Sequence, residues 1–328
     1  KNHPPVKFGK TGVLIINLGT PDSTSWLDIR KYLREFLSDR RVIEVNPVIW
    51  QIILNVFILN FRPSKTAKAY KEIWMKDKNM SPLLYYTKKQ SEKISNSISK
   101  ENIIIDFAMR YGNPSIKSKI HKLHEMGCEN LVILPLYPQY AAATTATVCD
   151  EVYRTLMKMR WQPSLKIIPH YESDPLYIDA LVNSINKKLN EINWKPDLII
   201  ASYHGIPKKY FDKGDPYHCY CHKTTRLISE KFSSIKIKTT FQSRFGPQEW
   251  LQPYTDKTLE NLPKEGVKNV LTICPGFASD CVETLEEIQI QAKESFLNSG
   301  GENFDMVPCL NDNNDHIVLL KSLIERNI

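Results

Sequence analysis

A short apolar run that stops at a turn recurs along this chain, and helical periodicity follows most of these runs. They fall at residues 13–18, 103–109, 131–136, 165–168, 198–202, 235–241 and 269–274. Continuous apolarity, rather than alternation, marks strands covered on both faces, as in a parallel sheet flanked by helices. Strand, loop and helix in succession predict a doubly wound α/β architecture. Trp161-Gln162-Pro163-Ser164 reads as a joint between two similar βα series. The expected division is an N-terminal α/β domain over 1–163, joined by the last helix 316–328, and a C-terminal α/β domain over 164–315.

A length of 328 residues fits one large or two medium domains. Hydrophobic content of 42% and charged content of 24% are those of a soluble globular chain. No run reaches the roughly 18 apolar residues of a spanning helix. Residues 1–10 hold no apolar signal core, so no secretion signal is expected. Cys 7, an odd number in a long chain, points to a reducing cytoplasm rather than a disulfide framework. The net charge of +8 is spread along the chain and suits anionic partners, or simply a solvated surface. No zinc-finger spacing or RNA-binding signature appears, which argues against nucleic acid. Gly19-Thr20-Pro21-Asp22 follows the first strand without a dinucleotide or Walker fingerprint. Asp22 or Ser23 is the expected cap of a helix over 25–37.

Two strand ends carry chemistry. The run 198–202 leads to His204, and Gly205 and Pro207 force a turn at once. Ligands of open parallel sheets sit just beyond the carboxyl ends of strands, and imidazole exchanges protons near neutral pH; a histidine that only caps the turn is the alternative. The run 269–274 leads to Pro275-Gly276 and an acidic helix, with Ser279 or Asp280 as its expected cap. Glu283 and Glu287 are four apart and share a helical face. They either compensate the helix dipole or form a carboxylate ridge for a hard cation. If the two strands are neighbours, His204 and the glutamates face each other. The visible ligands are too few for a closed structural zinc site.

Three further stretches stand out. Residues 241–251, Phe-Gln-Ser-Arg-Phe-Gly-Pro-Gln-Glu-Trp-Leu, are either core aromatics or the wall of a flat apolar pocket. Residues 47–61, between Asn46 and Arg62-Pro63, are nearly all apolar yet too short to span a bilayer. They read as a buried helix or as an exposed lip that meets a membrane or an apolar ligand. In His218-Cys219-Tyr220-Cys221-His222, Cys219 and Cys221 offer two ligands for zinc or for a two-iron two-sulfur cluster. A cluster needs two more, such as Cys128 and Cys149; free thiols are the alternative.

Six motifs in order make the chain similar to the ferrochelatase family, which inserts ferrous iron into protoporphyrin IX to form protohaem, the last step of haem biosynthesis. They are INLGTPD at 16–22, AMRYGNP at 108–114, YPQY at 137–140, SYHGIP with KGDPY at 202–217, FQSRFGPQEWL at 241–251 and PGFASDCVETLEE at 275–287. The opening HPPVKFGK at 3–10 resembles proteobacterial members. The resemblance implies two flavodoxin-like domains with an interdomain porphyrin cleft. It implies His204 as the catalytic histidine and Glu283 as its partner, with Asp280 and Glu287 lining the metal or proton path. Leu18, Arg110, Tyr137, Trp250 and Phe277 match positions around the macrocycle, and Arg62 a propionate contact. The lip over 47–61 matches a membrane-touching segment, so a peripheral enzyme on the inner face of the cytoplasmic membrane is expected. Iron enters as substrate, with no organic cofactor. The chain departs from some relatives at Gln291, where the acidic ridge would continue, at Cys281, a histidine elsewhere, and at Leu18, a tyrosine elsewhere. Monomer and homodimer both stay open. So do protoporphyrin against coproporphyrin, and His204 as proton acceptor against iron ligand. The alternatives are a cobalt or nickel chelatase of a related tetrapyrrole, and a non-catalytic two-lobed haem- or metal-binding protein.

Overall fold

The computed structural model describes residues 3, 5–98 and 100–328. The chain forms two compact units, residues 1–136, 142–169 and 317–328 in the first and residues 137–141 and 170–316 in the second.

The first unit is built on β1 (Lys10–Thr20), β2 (Ile103–Gly112), β3 (Cys128–Pro135) and β4 (Ser164–Ile167), all parallel, in the order β2-β1-β3-β4. Val13, Leu14, Ile15 and Ile16 of β1 are wholly buried, as a central strand covered on both faces requires. Its helices are α1 (Trp26–Leu37), α2 (Pro47–Ile53), α3 (Leu59–Ile73), α4 (Pro82–Ser97), α5 (Ile116–Glu125) and α6 (Thr147–Leu156). Ser25, not Asp22 or Ser23, caps α1: its side chain accepts from the Asp28 N–H. The strand expected to open the second series, 165–168, is instead β4, the edge of the first sheet beside β3. Residues 142–146 are a π-helical turn ahead of α6.

The apolar stretch is one interrupted helical run: α2, capped by the Asn46 side chain, a π-helical turn at Leu54–Ile58, and then α3. α3 passes through Pro63, where the sequence suggested a stop. Proline cannot donate to the carbonyl four residues back, which is that of Leu59. Arg30 Nε on α1 donates to this carbonyl instead, at 3.2 Å, so the helix continues without an orphaned acceptor. Leu54 and Leu59 point inward and are fully buried. Val48, Ile49, Ile52, Val56, Phe57 and Phe61 lie outward, with Val48 72% and Phe61 76% exposed. Among the described residues no helix is long and apolar enough to cross a membrane.

The second unit repeats the topology with β5 (Leu198–His204), β6 (Lys236–Gln242), β7 (Asn269–Ile273) and β8 (Asn303–Met306), parallel, in the order β6-β5-β7-β8. β8, a short edge strand, has no apolar run in the sequence to announce it. The helices are α7 (Pro175–Glu191), α8 (Lys208–Asp212), α9 (Tyr217–Ser229), α10 (Thr255–Asn261), α11 (Val282–Thr284), α12 (Lys293–Asn298) and, entering the first unit, α13 (Asn314–Glu325). One face of the second sheet packs Leu198, Ile200, Val270 and Met306 against Leu259 and Phe296. In both sheets the order reverses between the first and third strands of the series. That is the flavodoxin-like switch point, where a crevice opens beyond the strand ends. In the second unit it lies between β5 and β7, the two strands that lead to His204 and to the acidic helix.

Candidate active site

His204 is the last residue of β5 and pairs in register with Gln242, the last residue of β6. The next residue must be small. A Cβ on Gly205 would come within 2.9 Å of the Gln242 carbonyl oxygen and 3.2 Å of the Trp250 ring. His204 Nδ1 lies 2.6 Å from the Gly205 carbonyl oxygen. A carbonyl only accepts, so Nδ1 carries a proton, and Nε2 keeps its lone pair in the neutral form of the ring. The half-buried imidazole thus presents a proton acceptor or metal ligand, aimed by its own backbone.

The acidic helix begins at α11, with Cys281 as its N-cap in place of the expected Ser279 or Asp280. It continues as a π-helical segment, Leu285–Ala292. Glu283 is half-buried, and its carbonyl oxygen accepts from Gln242 Nε2 at 2.7 Å. Glu287 accepts the Ser243 N–H at 2.7 Å and the Ser243 hydroxyl at 2.5 Å, with Gln242 Nε2 at 3.4 Å. Burial pushes the Glu287 carboxyl above its usual range, and the Glu283 charge adds to this; the Ser243 hydrogen bonds and the His204 charge oppose it. His204, Glu283 and Glu287 therefore form one electrostatic neighbourhood. A cleft of about 350 Å³, lined in part by Gln242, Ser243, Arg244, Asp256 and Gln291, opens onto Glu287. Arg244 meets Asp256 there at 2.6 Å.

Gln242 and Ser243 are the residues that the sequence did not single out. Gln242 is buried, and its Oε1 accepts from the Ser202 hydroxyl at 2.7 Å, which turns its Nε2 toward the glutamates. Ser243 holds φ at 64°, in the left-handed region where serine is strained. The only signal was position: Gln242 ends the strand beside His204 and Ser243 follows it.

Asp280 does not join the group. Its carboxylate accepts from Asn311 Nδ2 at 2.6 Å, the Thr284 hydroxyl at 2.9 Å and the Cys309 N–H at 3.3 Å. Those contacts tie its buried carboxylate to the loop before α11 and the segment after β8. Phe277 is half-buried against the second-unit core. Trp250 lies against Gly205, with its indole N–H on the Phe245 carbonyl at 2.9 Å, and Tyr137 is buried. In the first unit, Leu18 is half-buried near the end of β1, and Arg62 is half-buried on α3. Arg110 is buried, with Nη2 on Asp39 at 2.5 Å and Nε on the Thr147 carbonyl at 2.8 Å. Cys219 and Cys221 both fall on α9, where residues two apart point to opposite sides. Cys219 is exposed and Cys221 fully buried, so the expected pair does not converge on one ion. Among the described residues no three His, Cys, Asp or Glu side chains converge as a metal cage.

Solved structures of like fold include chelatases. SirB from Bacillus subtilis with Fe3+ aligns with a TM-score of 0.58 at 11% identity, over 97% of this chain and 95% of that one. Sirohydrochlorin chelatase SirB from Bacillus subtilis subspecies spizizenii in complex with cobalt aligns at 0.57 and 8%, over 98% and 94%. At these identities the likeness is one of fold, and it sets the class: a two-unit α/β protein of chelatase architecture. The sequence narrows this further. The ferrochelatase family model matches residues 10–328. A ferrochelatase of Allorhizobium ampelinum is 56% identical over 329 residues, covering 99% of this chain and 96% of the relative. One of Rhizobium meliloti is 55% identical over 329 residues, covering 99% and 97%. The chain belongs to the ferrochelatase family; it is a lyase that inserts ferrous iron into protoporphyrin to form protohaem.

Proposed function

We propose that His204 is the base of this reaction, with Glu283 and Glu287 as its charged partners. The observation that carries this reading is the Nδ1–H donated to the Gly205 carbonyl, which leaves Nε2 as the acceptor. Insertion must remove two pyrrole protons and strip water from the iron. A planar macrocycle keeps its N–H groups in the ring plane, so binding energy spent on bending the ring exposes them to a base on one face. His204 Nε2 takes the proton, and the neighbouring carboxylates stabilise the imidazolium that forms. Glu287, whose pKa burial moves toward neutrality, is suited to pass that proton toward the adjoining cleft. His204 and Glu283 are also the candidate ligands of the incoming iron before transfer, so that ligation and proton acceptance follow in turn. Fe2+ and the porphyrin are both substrates.

Trp250, Phe277 and Tyr137 are the apolar candidates for contact with the macrocycle, and Leu18 is a further one. Arg62 and Arg110 are the cationic candidates for the propionates. Arg110 also pairs with Asp39. The exposed Val48, Ile52, Phe57 and Phe61 support a lip that docks on a membrane surface and takes the apolar porphyrin from it. This reading makes the enzyme peripheral on the inner face of the cytoplasmic membrane. The test is anaerobic ferrous insertion by His204→Ala. Its kcat falls by at least about a hundredfold, the usual worth of a general base, with an unchanged melting temperature. A folded variant that works at the wild-type rate overturns the assignment.

A further inference from the structure

The two histidines of the HCYCH stretch are not used by the reaction. His218 and His222 lie four apart on α9 and so share one helical face. Their ring centroids are 4.4 Å apart. Phe241 underlies both, at 5.8 Å from His218 and 6.2 Å from His222, and Phe211 closes the edge of His218 at 5.2 Å. Among the described residues neither imidazole makes a hydrogen bond, and His222 is open to solvent. Burial lowers the pKa of both rings, and for His222 the charge of His218 adds to it. At neutral pH both rings are therefore neutral and keep a free lone pair.

We propose that His218 and His222 form a bidentate site for a borderline divalent transition ion of the nickel, copper or zinc type. Two nitrogens about 2.0–2.1 Å from one ion sit roughly 3.3 Å from each other, a separation that rings 4.4 Å apart can supply. A histidine pair at this spacing on one helical face is a known chelating arrangement. Imidazole selects borderline ions over magnesium or calcium, which take oxygen ligands. The protein supplies two ligands only, because no third His, Cys, Asp or Glu among the described residues converges on them. Water fills the other positions, so the ion stays exchangeable. The aromatic floor of Phe241 and Phe211 fixes the orientation of the rings.

The probe is Ni2+, titrated calorimetrically into the full chain. His204→Ala removes the reaction site as a competing ligand, and in that background one equivalent of nickel still binds. Adding His222→Ala abolishes it; His222 is exposed, so the fold tolerates the change. Adding Cys219→Ser instead leaves it intact. His222→Ala alone keeps ferrous insertion within about twofold of wild type. The proposal is overturned if His204→Ala binds no nickel, or if the double variant with His222→Ala binds as much as His204→Ala. It is also overturned if Cys219→Ser removes the ion, which would assign it to the thiol.

Discussion

Ser243 is strained, and the strain has an evident use. A non-glycine residue at φ 64° costs on the order of 1 kcal/mol. That conformation turns both its N–H and its hydroxyl onto Glu287. Ser243→Ala keeps the backbone donor and loses the hydroxyl, a hydrogen bond to a charged acceptor worth about 1.5 kcal/mol or more. The expected outcome is a KM for iron raised by about tenfold, with kcat changed far less. Ser243→Gly relieves the strain and should melt no lower than wild type, yet it should show the same rise in KM for iron. Steady-state kinetics with iron varied separate this from a general loss of stability. The placement of His204 and Glu283 was legible in the sequence because each stands beside a strand-ending turn. Ser243 was not, since its importance lies in a backbone angle and a partner 44 residues away. The donors of Asp280 were hidden in the same way: Cys309 and Asn311 lie 29 and 31 residues away in the chain.

At the level of elements, the apolar stretch shows what composition leaves open. Residues 47–61 fit a buried core helix as well as an exposed lip, because periodicity is lost when nearly every position is apolar. The burial of Leu54 and Leu59, set against the exposure of Val48, Phe57 and Phe61, decides it. Replacing Ile52 and Phe57 together by lysine removes apolar area from the outward face alone. Flotation with phospholipid vesicles should then recover much less protein, while ferrous insertion in detergent stays within about threefold. Equal flotation of the variant and wild type would contradict membrane docking by this face. The bounds of α3 were hidden by Pro63, normally a stop signal; Arg30, remote in sequence, supplies the missing donor. In α9 the helical period itself parts Cys219 from Cys221, although their spacing in the sequence suggested a pair. β4 read as the start of the second series because a strand's partners are not written into its own residues.

For the whole molecule, the repeated order β2-β1-β3-β4 and β6-β5-β7-β8 was foreshadowed by two series of apolar runs. The flavodoxin-like crossover puts the ends of β5 and β7 side by side, so that a histidine and two acids far apart in the chain become neighbours. Stability should depend on pH through His316. It is fully buried, its Nδ1 lies 2.6 Å from the Asn311 carbonyl oxygen, and burial lowers its pKa from 6.5 to about 4. Its folded pKa lies below its unfolded one, so the unfolded chain binds the extra proton. Stability is intact above pH ~6.5 and falls as the pH drops toward ~4, by on the order of 3 kcal/mol from this group. His316→Gln should flatten that slope in urea melts between pH 4 and 6.5; an unchanged slope would assign it to other groups.

The assignment of His204 as the pyrrole base is tested most directly by chemical rescue. His204→Gly leaves a space the size of an imidazole ring beside Gly205. Anaerobic insertion of Fe2+ into protoporphyrin by this variant should be at least about a hundredfold slower than wild type, and should recover as free imidazole base is added. Insertion at the wild-type rate without imidazole, by a variant that melts normally, would contradict the account.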